Sequence, residues 1–98
     1  MYSPILTLIH TEYIPNDIGV QVPHEVPRDI LGTRNNLTRS EFFAAGSTGL
    51  KPSFMFRTPQ ENYNGEKIAE YMGQRFGVYR TYVSGSQMEI YLEEKAGI

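Results

Sequence analysis

Apolar positions recur at every second residue through the last third of the chain. Phe76, Val78 and Tyr82 share one phase, and Met88, Ile90 and Leu92 share the next. Ser84-Gly85-Ser86 separates these runs, and Gly73-Gln74 separates the first from Ile68-Ala69-Glu70-Tyr71. A period of two buries one face of a strand and presents the other. Glu66 to Lys95 therefore predicts three short antiparallel strands joined by two tight turns. The outward face carries Tyr79, Thr81 and Tyr91, large residues with no obvious chemistry beside them, which points to contacts with other proteins.

Upstream, Ile5 to Thr11 reads as a first strand, apolar at Ile5, Leu6, Leu8 and Ile9. From Ile14 to Asn36 the chain carries Pro15, Pro23 and Pro27 with Gly19 and Gly32. Proline has no amide for a central ladder, so this stretch predicts loop with at most an edge strand over Arg28 to Gly32. Thr38-Arg39-Ser40-Glu41 matches a capping box, a hydroxyl followed three residues later by a carboxylate. Phe42 to Ala45 continue that helix for one or two turns, with Gly46 placed as its left-handed terminator. A flexible Ser47 to Leu50 follows, then a strand from Lys51 to Thr58 in which Phe54 and Phe56 alternate with Met55 and Arg57. Tyr63-Asn64-Gly65-Glu66 turns the chain into the terminal meander. The expected fold is mainly β: one domain spanning residues 1–98, a small, partly closed antiparallel barrel of five to six strands with one short helix and long loops.

Composition narrows the class. A chain of 98 residues forms a single modest core, burying roughly 60–70% of its unfolded surface. The net charge is −2, and the nine Lys and Arg residues are scattered from Arg28 to Lys95. Dedicated nucleic-acid binding calls for a basic stripe along the phosphate track, and none is present. The absence of cysteine excludes a disulfide scaffold, thiolate chemistry and a cysteine-based zinc site. No export leader is expected in Met1 to Ile9, and no segment approaches the ~20 apolar residues of a membrane span. Asn36-Leu37-Thr38 is a formal glycosylation sequon without that context.

Candidate chemistry is sparse. His10, Glu12, His24 and Glu25 could together approach a metal, but they lack helical i, i+4 spacing and read as surface residues. No serine or threonine is suggested to have a positioned base. Glu93-Glu94 point to opposite faces of a strand and read as solubilising charges. Gly46-Ser47-Thr48-Gly49-Leu50-Lys51 resembles a phosphate loop, yet it follows a helix and leads into a strand, the reverse of what phosphate cradling requires. Neither catalytic residues nor a cofactor or metal are expected. Phe42 and Phe43 diverge by about 100° on a helix, so one is expected to pack inward and the other to be exposed or reach a partner. Arg80 falls between Val78 and Tyr82 on the face expected to be buried, and so calls for a partner, Glu70 or Glu41.

Several segments together resemble the head closure, or head–tail joining, proteins of tailed bacteriophages. They are Asn16 to Gly19, Ser40-Glu41-Phe42-Phe43-Ala44-Ala45-Gly46, Gly49 to Ser53, Tyr63-Asn64-Gly65-Glu66, Tyr79-Arg80-Thr81-Tyr82 and Glu89-Ile90-Tyr91. Their order and spacing cover nearly the whole chain, while Pro27 to Asn35 departs from the family's more regular apolar strand. The resemblance implies a non-enzymatic virion component at the head–tail interface, made in the cytoplasm of a bacterial host. It would be monomeric until it assembles as a ring beneath the portal, bridging portal or adaptor to tail-completion proteins and helping retain packaged DNA. Passing contact with genomic DNA follows, and membrane contact does not.

Candidate protein-contact residues are Arg39, Glu41, Phe42, Phe43, Tyr79, Arg80, Tyr82 and Tyr91. The candidate lumen loop is Gly46, Ser47, Thr48, Gly49, Leu50 and Lys51, with Asp17 to Val26 a second contact loop. The alternative expectation is a small barrel that binds single-stranded nucleic acid or a peptide, with Tyr79, Tyr82 and Tyr91 stacking on bases.

Overall fold

A computed structural model describes residues 2–95. Its elements, in chain order, are β1 (Ile5–Pro15), β2 (Gln21–Leu31), β3 (Thr33–Asn35), α1 (Arg39–Gly46), β4 (Pro52–Pro59), β5 (Ile68–Tyr71), β6 (Gln74–Ser84) and β7 (Gln87–Glu94), with a 3-10 turn at Gln60–Asn62. The architecture is mainly β with one short helix, as the alternation of apolar residues implies. All pairings are antiparallel, in the order β2-β1-β5-β6-β7-β4-β3.

The sheet has seven strands where five or six were expected, and the difference lies in the proline-containing stretch. Residues expected to be loop form β2, which pairs with β1 along its whole length, from Ile5↔Leu31 to Pro15↔Gln21. The physical reason is its place at the edge of the sheet. Alternate amides of an edge strand need no partner, and Pro23 and Pro27, four apart, fall in the same alternate set. β1 accordingly runs on to Pro15, beyond the Thr11 at which the sequence reading ended it.

Hydrogen bonding does not close the sheet, since β2 and β3 are its two edges. The chain nevertheless passes from one edge to the other through a single residue, Gly32. There the backbone runs so close to β4 that an added Cβ would collide with the Arg57 carbonyl oxygen and come within 2.6 Å of the Phe56 ring. Gly32 N–H donates to Pro4 O at 2.9 Å, and Thr58 Oγ1 donates to Leu31 O at 2.8 Å. The sheet thus curls until its edges are covalently joined, burying its inner face upon itself.

That face is the core. Leu6 and Leu8 of β1, Ile30 of β2, Phe54 and Phe56 of β4, Ala69 and Tyr71 of β5, Phe76 of β6, and Ile90 and Leu92 of β7 form one cluster. These are alternate residues of their strands, which is why the period of two was readable. The Phe54 ring lies 5.0 Å from both Tyr71 and Phe76, edge-on to the latter. Tyr71 is buried, and its hydroxyl donates to Ser3 O at 2.6 Å. Glu93 is also buried, lying opposite Gly77, so it is not the solvent-facing charge expected from its position.

One part leaves this body. β5 meets β1 only from Thr7 to Ile9, while β1 and β2 continue to Pro15 and Gln21 paired with each other. The result is a two-stranded arm on a molecule 50 Å long and 29 by 26 Å across.

Candidate protein-contact site

The helix is positioned by its cap and by one face. Thr38 Oγ1 accepts from Glu41 N–H at 3.1 Å, the first half of the capping box. The Glu41 carboxylate does not complete the box, because it reaches β6 instead. Glu41 and Ala45 lie four residues apart and so share a face; Ala45 is the buried residue of α1. Phe42 and Phe43 are turned roughly 100° and 200° away from Glu41 by helical geometry. Both are exposed, at 51% and 64%, and pack edge-to-face on each other at 5.9 Å. The expectation that one of them packs inward is therefore corrected, since small Ala45 fills the contact.

Gly46 is also corrected. It is helical, and the left-handed residue is Gly49, with φ +88°. Between them the chain is hydrogen-bonded back to the helix. Ser47 N–H donates to Phe43 O at 3.0 Å, Thr48 Oγ1 to Ala45 O at 2.7 Å, and Gly49 N–H to Gly46 O at 3.1 Å. Lys51 O accepts from Glu94 N–H at 3.0 Å. The segment Gly46 to Lys51 is a short, hydrogen-bonded turn between α1 and β4 rather than a long loop.

The junction between α1 and the sheet depends on a β-bulge. Along β6 and β7 the register runs Gly77↔Glu93, Val78↔Leu92, then Arg80↔Tyr91, with Tyr79 as the extra residue. A bulge sets two residues against one and interrupts alternation. Arg80 therefore joins the face of Tyr91, and Tyr82 follows it outward opposite Glu89, 56% exposed. Thr81 lies opposite Ile90 and is exposed, as are all residues of β6 from Arg80 onward. The expectation that Arg80 and Tyr82 lie on the buried face is overturned from the bulge onward, while Thr81 is exposed as expected.

Glu41 accepts from three groups at this junction: Arg80 Nη2, Arg80 Nε at 3.3 Å and the Tyr79 hydroxyl at 2.9 Å. The Arg80 guanidinium lies over the Tyr91 ring at 3.9 Å, in cation–π geometry. Tyr91 donates to Glu89 Oε1 at 2.7 Å, and Arg57 Nη2 donates to Glu89 Oε2 at 2.6 Å. Glu41 is thus the partner of Arg80, while Glu70 lies near Arg75 instead, at 3.8 Å. The Arg80 guanidinium holds the Glu41 carboxyl below its ordinary range against partial burial, with help from Tyr79. Burial, followed by the bond to Glu41, pushes the Tyr79 hydroxyl well up. The Tyr91 hydroxyl and Arg57 hold Glu89 down. Beside this network lies a shallow cleft of about 340 Å³, lined in part by Leu37, Ser40, Met55, Arg80 and Tyr91.

Four of the eight candidate contact residues meet here, Glu41 from the helix with Tyr79, Arg80 and Tyr91 from the sheet, while Phe42 and Phe43 stand exposed on other faces of α1. Arg39 is exposed on the first turn of α1, and Tyr82 stands further along β6. The network engages Tyr79 and Tyr91 in full, with rings 6.1 Å apart and both hydroxyls bonded to carboxylates. Of the three tyrosines considered for stacking on bases, Tyr82 alone is a free exposed ring.

Two further features were not anticipated from sequence. Arg28 donates to Glu66 Oε2 and to Asn62 O, both at 2.7 Å, and Asn64 N–H donates to Glu66 Oε1 at 2.9 Å. Burial pushes the Glu66 carboxyl up, but Arg28 and these amides outweigh it and hold the group below its usual range. The Tyr63-Asn64-Gly65-Glu66 turn is therefore locked to β2. Second, the arm carries Tyr13, Ile14, Ile18, Val20 and Val22 exposed. The signal for it lies in the apolar residues between the prolines, whereas the prolines themselves point to loop with at most an edge strand over Arg28 to Gly32.

On the arm, Glu12 lies directly opposite His24, and His10 opposite Val26. Glu25 points from the other face to Arg75, forming two hydrogen bonds of 2.7 Å. Among the described residues, no group of three or more His, Cys, Asp or Glu side chains is arranged to hold a metal ion. No described helix is long and apolar enough to cross a membrane. No protein-family model matches this chain, and no curated protein matches it at a significant level.

Proposed function

We propose that this chain is a structural component of a tailed-bacteriophage virion. It would act at the head–tail interface as one subunit of a ring that joins the portal or its adaptor to tail-completion proteins and helps retain packaged DNA. The observation that carries this reading is the α1–β6–β7 junction. Three of the segments on which the family resemblance rests, Ser40 to Gly46, Tyr79 to Tyr82 and Glu89 to Tyr91, meet there. A charged, fully bonded network fixes the helix in place while Phe42 and Phe43 remain exposed. Rigid presentation of an apolar pair suits an adaptor, because little ordering entropy remains to be lost on docking.

The role requires no bond to be made or broken. The near-neutral charge, −2 overall, suits a subunit past which DNA must move, since a strongly basic lining would retain the genome by counterion release. The Gly46 to Lys51 turn is short and tied down, so its part in narrowing a lumen would come from many copies together.

The test is complementation of a phage lacking this gene product. Heads made without it are expected to package DNA and then lose it, or fail to join tails, and purified protein is expected to restore joining. Fully infectious particles that lack the polypeptide would overturn the reading.

A further inference from the structure

We propose that the β1–β2 arm of one copy docks onto the exposed face of α1 in a second copy, a head-to-tail contact in which Ile18 is the knob and Phe42 and Phe43 are the seat. The contact rests on the self-assembling part of the function proposed above, and it names the two surfaces involved.

The arm is built to be held. A two-stranded ribbon alone in water is marginally stable, and this one exposes apolar residues on both faces. Ile14 and Val22 lie opposite each other on one face, with Tyr13 on the other. Its root is fixed by the paired Glu25–Arg75 contact. Its tip is also ordered. Asn16 Oδ1 accepts from Ile18 N–H and Val20 N–H, both at 3.0 Å. Asn16 N–H donates to Val20 O at 2.9 Å, and Gly19 N–H to Asn16 O at 3.0 Å. Gly19, at φ +82°, supplies the left-handed position that closes the turn. This well-bonded tip presents Ile18, 82% exposed, outward. Burying so apolar a residue against a partner is worth roughly the transfer of its side chain from water.

Charge selects the occupant. The chain has no Lys or Arg before Arg28, and Arg28 is engaged by Glu66. With Glu25 bound to Arg75, Glu12 and Asp17 are the arm's acids without an ion-pair partner among the described residues. At α1 the balance is reversed. Glu41 is neutralised by Arg80, which leaves Arg39, exposed three and four residues before the two phenylalanines and so on their side of the helix. An apolar tip flanked by Asp17 and an apolar seat flanked by Arg39 thus occur on two different elements of the same molecule, the β1–β2 turn and α1. Two different surfaces that fit each other generate a chain of subunits, which closes to a ring when the rotation per step allows.

Because the protein has no cysteine, engineered thiols report the contact without background. Ile18→Cys and Phe43→Cys chains, mixed under mild oxidation, are expected to cross-link roughly tenfold or more faster than either variant alone, through the raised local concentration of a docked pair. Ile18→Cys mixed with Ser86→Cys, on the exposed β6–β7 turn, gives the random-encounter rate. In sedimentation, Ile18→Asp and Phe43→Asp should each fold but remain single, while their mixture forms a one-to-one pair that grows no further. Equal self-cross-linking of Ile18→Cys, or a mixed rate no higher than the Ser86 control, overturns the proposal. Particles that need the protein for tail joining yet lack the mixed cross-link overturn this contact alone and leave the proposed function standing.

Discussion

Arg80 on β6 and Glu41 on α1 lie 39 positions apart and form the ion pair that fastens the helix to the sheet. Tyr79 reaches the same carboxylate although it is adjacent to Arg80, because the bulge at Val78/Arg80 breaks the alternation that would send neighbours to opposite faces. The helix itself contributes one buried residue, Ala45. Its attachment therefore depends on polar bonds far more than on apolar area.

Glu41→Gln is expected to lower stability by about 1 kcal/mol, the scale of a charge-assisted bond discounted for the partly exposed Arg80. Arg80 depresses the folded-state pKa of Glu41. The contribution is thus present above the ordinary carboxylate range and is lost as pH falls through the lower, folded value. Denaturant melts of wild type and variant should differ at pH 7, and the difference should shrink only as pH falls below the ordinary carboxylate range and through the depressed folded value. A gap that persists in acid would show that the charge is not responsible.

Gly32→Ala should be among the most damaging small substitutions in the protein. Its methyl has nowhere to go between the Arg57 carbonyl and the Phe56 ring, and overpacking against backbone costs about 3 kcal/mol or more. The cause is steric, since Gly32 is not among the residues with positive φ. Thermal melts give the readout, and an unchanged Tm would mean that β3 can detach from β4 at little cost.

Arg28→Met leaves the Glu66 carboxylate buried with only amide donors. The expected loss is about 2 kcal/mol, below the value for a fully enclosed pair because Arg28 is partly exposed. Arg28 helps hold the Glu66 pKa below its ordinary value, so that contribution should fade as pH falls. In the variant, titration followed by NMR should place the Glu66 carboxyl higher than in wild type.

Asn16→Ala removes the acceptor for two arm amides while leaving the core untouched. Global Tm should move by less than about 0.5 kcal/mol equivalent, whereas hydrogen exchange at Ile18 and Val20 should accelerate several-fold. If exchange there is unaltered, the tip is not ordered by Asn16.

Phe42→Ser with Phe43→Ser should leave the melting curve within experimental scatter, because both rings are already exposed. The same double variant is expected to abolish tail joining in the complementation assay. A variant that joins tails at the wild-type rate removes α1 from the contact surface.

Where alternation was uninterrupted, local sequence located the structure. Phe54 and Phe56, and Ile90 and Leu92, lie in the core as their spacing indicated. Thr38 caps the helix as its hydroxyl indicated. What misled was local too: Pro23 and Pro27 argue against a strand unless that strand is at an edge, and edge position is a property of the whole sheet. Arg80 could be seen to need a partner, but the choice between Glu41 and Glu70 turned on a bulge that no residue type announces.

The sequence by itself determined the β character, the single short helix, the turns and most of the inward-facing residues, because these follow from periodicity and from side-chain chemistry within a few residues. Tertiary structure alone decided that β2 pairs with β1 along its whole length and extends an apolar arm, that Gly32 joins the two sheet edges, and that Tyr79 and Arg80 converge on Glu41. Each of these depends on which backbone lies alongside which, a relation set by long-range pairing and by close packing around one core.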